Sequence, residues 1–173
     1  GLNFTESKGY KVAFLTSVEP LLFRGAFKGE YSQSAVASCW VGHTAPSTEC
    51  SCGFHSYKII EDAIVEMGKK WNAVLLKIEN YGKIIEHDRG WRSAEQDIVE
   101  VVFPEKCSKL FCKGSSERIG LNGSYYLPLC VKHSKKAPNS YTPIDFYNST
   151  GIEVSFLRNN NNIFKGKADD IDE

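Results

Sequence analysis

Short apolar runs separated by polar turns dominate the first two thirds of this chain. Tyr10–Thr16 (YKVAFLT) and Leu21–Phe27 (LLFRGAF) are rich in β-branched and aromatic residues, and they flank a Glu19-Pro20 turn signal. They predict two strands, and Ala35–Val41 predicts a third. Over Ile59–Trp71 the period changes. Ile59, Ile60, Ala63, Ile64 and Met67 fall on one stripe, with Glu61, Asp62, Glu66, Lys69 and Lys70 mostly elsewhere. That is the pattern of an amphipathic helix, and acids early with lysines late suit its dipole.

After Asn72 the strand signal returns. Val74–Ile78 predicts one strand, and Lys83–His87 a second beyond an Asn80-Tyr81-Gly82 turn. Ile98–Phe103 is strongly β-prone, and Pro104 stops it. Cys107–His133 reads as a small module with turns at Gly114, Gly120 and Gly123. Beyond it the chain turns polar, with Ile152–Leu157 as a last strand and a disordered tail after Asn159. The expected organisation is one α+β domain over residues 1–133, including a zinc-ribbon-like submodule at 107–133. A polar extension, partly disordered, covers 134–173. The expected fold is a twisted, mostly antiparallel sheet or small barrel, PUA-like by architecture, with one main helix and zinc-stapled loops.

Composition narrows the function classes. With 173 residues, 42% of them hydrophobic, the chain can bury one core. Lys+Arg and Asp+Glu both total 21, so no global field marks a nucleic-acid or membrane binder, and a basic patch has to be local. No apolar run approaches the roughly 20 residues that span a bilayer. Gly1–Lys8 carry no signal-peptide pattern. These features predict a soluble, cytoplasmic protein with no membrane partner.

Six cysteines admit either disulfides or metal. Sequons at Asn3, Asn122 and Asn148 keep a secreted, disulfide-bonded form as the alternative. The spacings favour metal. Cys39-x3-His43-x6-Cys50-x-Cys52 and Cys107-x4-Cys112-x17-Cys130-x2-His133 use every cysteine, and each supplies four ligands. Zinc takes four tetrahedral sulfur or nitrogen donors, usually as close pairs on turns. Two structural zinc ions are expected, the second group being the more specific in spacing.

Four segments together resemble a widespread group of small bacterial and phage proteins to which no activity is assigned. They are Gly9-Tyr10 before a strand, His43-Thr44-Ala45-Pro46 with Cys50-Ser51-Cys52-Gly53-Phe54, Gly82–His87 with Gly90-Trp91-Arg92-Ser93-Ala94-Glu95, and the closing Cys130-x2-His133. The match spans about residues 9–133. The resemblance implies metal binding and a shared fold, and no activity.

The densest polar cluster is Glu86–Glu95 (EHDRGWRSAE). As a ligand site, Arg92 would take a phosphate or carboxylate, Trp91 would stack on a planar ring, and Glu86 or Glu95 would bond a base edge or move a proton. As plain structure, Asp88-Arg89-Gly90 is a hairpin turn, with Trp91 covering the core and Arg92 in a buried pair. Tyr57, Trp40 and Trp71 could line an aromatic pocket that reads modified bases, but are expected in the core, and His55 and His87 as structural or surface residues. No phosphate-binding glycine loop, nucleophile elbow or His-Glu-x-x-His helix is present, so no catalytic residue is assigned. The leading expectation is a zinc-stabilised module that binds nucleic acid, a modified base or a nucleotide-like ligand. The alternatives are a small hydrolase or transferase using Glu86, Arg92 and Glu95, with His87 as a further candidate, and a protein–protein adaptor.

Overall fold

The computed structural model describes residues 7–25 and 29–158 in full, and 162–165 by their backbone. Asn3 lies outside those residues, and so does the tail expected to be disordered after Asn159 except 162–165, which form a strand instead. Two long strands organise the molecule: β6 (Val74–Glu86) and β7 (Gly90–Phe103). They form a hairpin through Asp88-Arg89-Gly90, as expected, where the His87 N–H bonds the Gly90 carbonyl at 2.9 Å. β6 is one strand and not the predicted two. Gly82, at φ +73°, lies where the register against β7 shifts between Tyr81 and Ile84, so the turn signal marks a bulge.

β6 pairs on its other side with β1 (Ser7–Val18), whose far half pairs with β2 (Leu21–Arg24), and β2 with β3 (Glu30–Tyr31). β7 also pairs antiparallel with β4 (Ser34–Val36) and with β5 (Phe54–Tyr57). Its last four residues pair in parallel with β10 (Glu153–Arg158), and β11 (Asn162–Lys165) adds outside β10. β8 (Arg118–Asn122) and β9 (Tyr125–Leu129) form a separate hairpin. The fold is α+β and mostly antiparallel, as expected. The large sheet is not a closed barrel: its end strands β3 and β11 do not pair, so the PUA-like barrel is not formed.

The central strands are buried on both faces, which explains their continuous apolar runs. Ala13, Leu15, Val74, Leu76, Ile78, Val101, Phe103, Val154 and Phe156 face one core, with Ile119, Tyr126 and Phe146 packed on them. Val12, Leu75, Val102 and Leu157 face the other, beneath α1 (Ile60–Gly68). The strict alternation follows from the two-residue period of a strand. Each fully buried Phe or Leu is worth about 1.5–3 kcal/mol relative to exposure. In α1 the predicted stripe holds for Ala63 and Met67, with Ile60 and Ile64 against them, whereas Ile59 is exposed.

The segment after His133, expected as a polar extension, is part of this core as far as Arg158. α3 (Pro143–Thr150) buries Phe146, and β10 buries Val154 and Phe156. The missed helix carries its own signals: a Thr142/Asp145 capping box, Pro143 in its first turn, and Gly151 as a left-handed C-cap at φ +77°.

Candidate metal centres

The second Cys/His group is built on regular structure. Cys107 and Cys112 lie on a tight loop closed by Cys107 N–H to the Gly114 carbonyl at 2.9 Å and Cys112 N–H to the Lys109 carbonyl at 3.0 Å. Cys130 follows β9 and caps the single turn of α2 (Val131–Ser134), which carries His133. The β8–β9 hairpin thus carries the chain from the first ligand pair to the second. Ser116 Oγ bonds the Pro104 and Glu105 carbonyls at 2.8 Å each, and Arg158 Nη2 bonds the Ser116 carbonyl at 2.7 Å. These bonds fasten the module to the end of β7 and to β10.

The first group lies on a stretch with no helix or strand, between β4 and β5. Its support comes from Arg92, which is buried. Arg92 Nη1 donates to the carbonyls of Ser47 (2.9 Å) and Cys52 (3.0 Å), and to that of Cys50. Its Nε donates to His87 Nε2 at 3.0 Å, which fixes that ring nitrogen as the unprotonated one. Gly53 turns the chain back into β5 at φ +108°, where a side chain would meet Pro46.

Both groups have the dimensions of a four-coordinate metal site. Tetrahedral ligands with metal–sulfur bonds of about 2.3 Å place the sulfurs about 3.8 Å apart. Cys39 and Cys50 sulfurs are 3.8 Å apart, and Cys112 and Cys130 sulfurs 4.0 Å. His43 Nδ1 is 3.7 Å from Cys39 Sγ. His133 Nδ1 is 3.5 Å from Cys107 Sγ and 3.2 Å from Cys130 Sγ. Within each group all four ligand atoms lie within 4.8 Å of one another. A disulfide needs about 2.05 Å, and all six cysteines are free thiols. The two sets of four residues are therefore brought together in an arrangement that could hold a metal ion, and their cysteines are not paired as disulfides.

The thiols differ within each group. Burial opposes ionisation of Cys39, but backbone hydrogen bonds from Val41 and His43 and the nearby Cys50 and Cys52 thiols lower its pKa. Cys112 is lowered chiefly by the Gly114 backbone N–H, 3.4 Å from its sulfur. Burial raises Cys52 and Cys107. Each group thus has one thiol whose pKa is lowered and one whose pKa is raised. A cation among them favours full ionisation, which couples proton release to metal uptake.

The Glu86–Glu95 cluster is not brought together as one site. Trp91 and Arg92, adjacent on β7, project from opposite faces. Trp91 is half-buried, bonds the Lys8 carbonyl through Nε1 at 3.2 Å, and has Lys58 Nζ 4.8 Å from its ring. Lys58 also pairs with exposed Glu86 at 2.5 Å. Glu95 is exposed further along the strand, opposite Tyr81 and Val36. Arg92 serves the first metal loop, and among the described residues no carboxylate bonds its guanidinium. Its expected buried pair is with backbone carbonyls and His87, because the loop's unpaired carbonyls need a donor there.

Two aromatic expectations are corrected. Trp40 is 94% exposed and Trp71 73%, so neither is core; Trp40 stands on the turn that follows Cys39. Tyr57 lines a cleft beside β5. His55 is exposed and donates from Nε2 to the Ser51 carbonyl at 2.7 Å, and His87 holds Arg92, both in the structural or surface roles expected.

Sequence reasoning missed Leu110 and Phe111, 83% and 92% exposed between ligands Cys107 and Cys112. The signal was local: Lys109 and Lys113 flank them, in a chain with zero net charge. Among the described residues no helix is long and apolar enough to cross a membrane. No protein-family model matches the chain, and no curated protein or solved structure matches it significantly.

Proposed function

We propose that this protein is a zinc-stabilised module that binds single-stranded nucleic acid through its second metal loop. Three thiolates and one imidazole per group suit zinc, and four protein ligands leave no open position for substrate, so the ions are structural. Reduced thiols in this number fit a reducing compartment such as the cytoplasm.

The observation that carries the nucleic-acid reading is Phe111, nearly fully exposed at φ +64° and flanked in sequence by Lys109 and Lys113. Lys106, Lys109, Lys113, Lys132, Lys135 and Lys136 all lie within three residues of a metal ligand, and five of the six are exposed. The carboxylates nearest in sequence, Glu105 and Glu117, act on Arg158. An exposed ring offers a stacking face to any base, and the surrounding ammonium groups follow the phosphates. The interface therefore moves from Trp91 and Arg92 to this loop. The enzyme alternative loses support, because Glu86, Arg92 and Glu95 engage different surroundings.

The test is fluorescence anisotropy with a labelled oligothymidylate at low salt. Binding that weakens with salt, and weakens on Phe111→Ala without loss of metal, is expected. Absence of binding to single-stranded DNA and RNA at low salt would end this reading.

A specific observation favours a protein contact at the other loop. Trp40 and Val41 are exposed beside Cys39, and residues 30–57 contain no lysine or arginine. An apolar tip without cations fits a protein surface better than a phosphate backbone. Cross-linking through a photoreactive residue at position 40 tests it; no adduct to protein in cell extract counts against it.

A further inference from the structure

A cleft of about 930 Å³ opens between β1, β3, β4, β5 and the start of β7; it borders the first metal loop through Ser38 and Gly53, but none of the eight cysteines and histidines of the two groups lines it. That volume lies in the range of small-molecule sites. Tyr31, Phe54, Tyr57 and Trp91 line it, and Ser34 and Ala35 of β4 keep one side low.

Lys11 projects into it from β1. Its Nζ lies 4.9 Å from the centre of the Tyr31 ring and 5.3 Å from that of Phe54, and donates to Gln96 Oε1 at 3.1 Å. An ammonium has three N–H donors, and this bond uses one. Among the described residues no carboxylate pairs with it. Glu66, at the cleft wall, is engaged by Lys70 at 3.5 Å, and Arg89 by Asp62. Among the described residues the buried Tyr31 hydroxyl and Gln96 Nε2 have no hydrogen-bond partner. Buried polar groups are seldom left unpaired unless something else supplies the partner. Here one cation and two neutral donors cluster behind aromatic walls, and an acceptor is what they lack.

We propose that this cleft binds a small organic carboxylate with a flat body of one or two rings, its oxygens accepting from Lys11 and Tyr31. One ammonium with neutral donors matches a single negative charge better than a phosphate dianion. Aromatic walls match a planar body. Burial lowers the Lys11 pKa to about 8, so the cation persists at neutral pH, and a bound carboxylate would favour it further. The site is independent of the nucleic-acid reading, because no residue of the second metal loop lines it.

The test is calorimetric titration of the metal-loaded full chain with 2-naphthoate, 2-naphthamide and 2-naphthyl phosphate. Saturable one-to-one binding of the carboxylate is expected, about tenfold or more tighter than the neutral amide, as for a charge-assisted contact. Lys11→Met should weaken carboxylate binding by a similar factor, Tyr31→Phe by less, and Phe111→Ala not at all. Should Lys11→Met fail to fold, the carboxylate-to-amide ratio in the native protein and the Tyr31→Phe variant decide. Equal binding of carboxylate and amide, undiminished binding by folded Lys11→Met, or no saturable binding of 2-naphthoate overturns the proposal. Tighter binding of the phosphate than of the carboxylate overturns the assigned class.

Discussion

The loop holding Cys39, His43, Cys50 and Cys52 and the module Cys107–His133 present the same three sulfurs and one imidazole, yet they rest on different supports. The first has no regular structure, and one arginine on a distant strand satisfies three of its carbonyls. The second encloses a hairpin that delivers Ile119 and Tyr126 to the main core. The same donor set thus does two jobs: it closes a surface loop in one place and anchors part of the core in the other. The tips differ as well, with Trp40 in a cation-free segment and Phe111 among lysines.

The largest expected effect comes from removing a ligand of the second group. Structural zinc contributes an apparent ~10–16 kcal/mol, comparable with a whole domain's stability of about 5–15 kcal/mol. Cys130→Ser should therefore abolish the cooperative thermal transition seen by near-ultraviolet circular dichroism. Cys52→Ser should keep a cooperative transition, lowered in midpoint, with one metal per chain. The reverse order would undo the assignment of supports.

Arg92→Met tests the bracing of the first loop. Outer partners of metal ligands typically matter ~10–100-fold in affinity. The first site should lose metal to a chromophoric chelator that much more readily, while the second is unchanged. Equal loss from both sites would mean that Arg92 supports the sheet and not the loop.

The two tips are separated by paired alanine variants. Phe111→Ala should cost ~1–3 kcal/mol in single-strand binding, and Trp40→Ala nothing. Lys113→Gln should reduce the slope of log affinity against log salt by about 0.7. Both readouts come from anisotropy, with melting temperatures unchanged. The smallest effect is Thr142→Ala, which removes the α3 cap at a cost of about 1 kcal/mol in chemical denaturation. It should leave both metal centres intact.

What the sequence disclosed follows from how local each signal is. The grouping of all eight cysteines and histidines was legible because thiols and imidazoles at turn spacings have few other uses. α1 and the long apolar strands were legible because burial imposes a fixed period. α3 was missed because PIDFYNST buries little and its evidence lay in caps. Gly82 was misread because a glycine with positive φ serves a bulge as well as a turn. Arg92 could not be placed from sequence, since its carbonyl partners lie 40–45 residues away. The Lys11 cleft was invisible for the same reason, being assembled from β1, β3, β5 and a glutamine on β7. The basic loop was hidden by a net charge of zero, an average that conceals clustering.

Metal analysis of protein purified without added metal, with thiols counted before and after release, tests the central claim most directly. Two zinc ions per chain and six reduced cysteines, unreactive until the metal is removed, are the predicted result. Fewer than about one metal per chain, with the thiols oxidised in pairs, would contradict it.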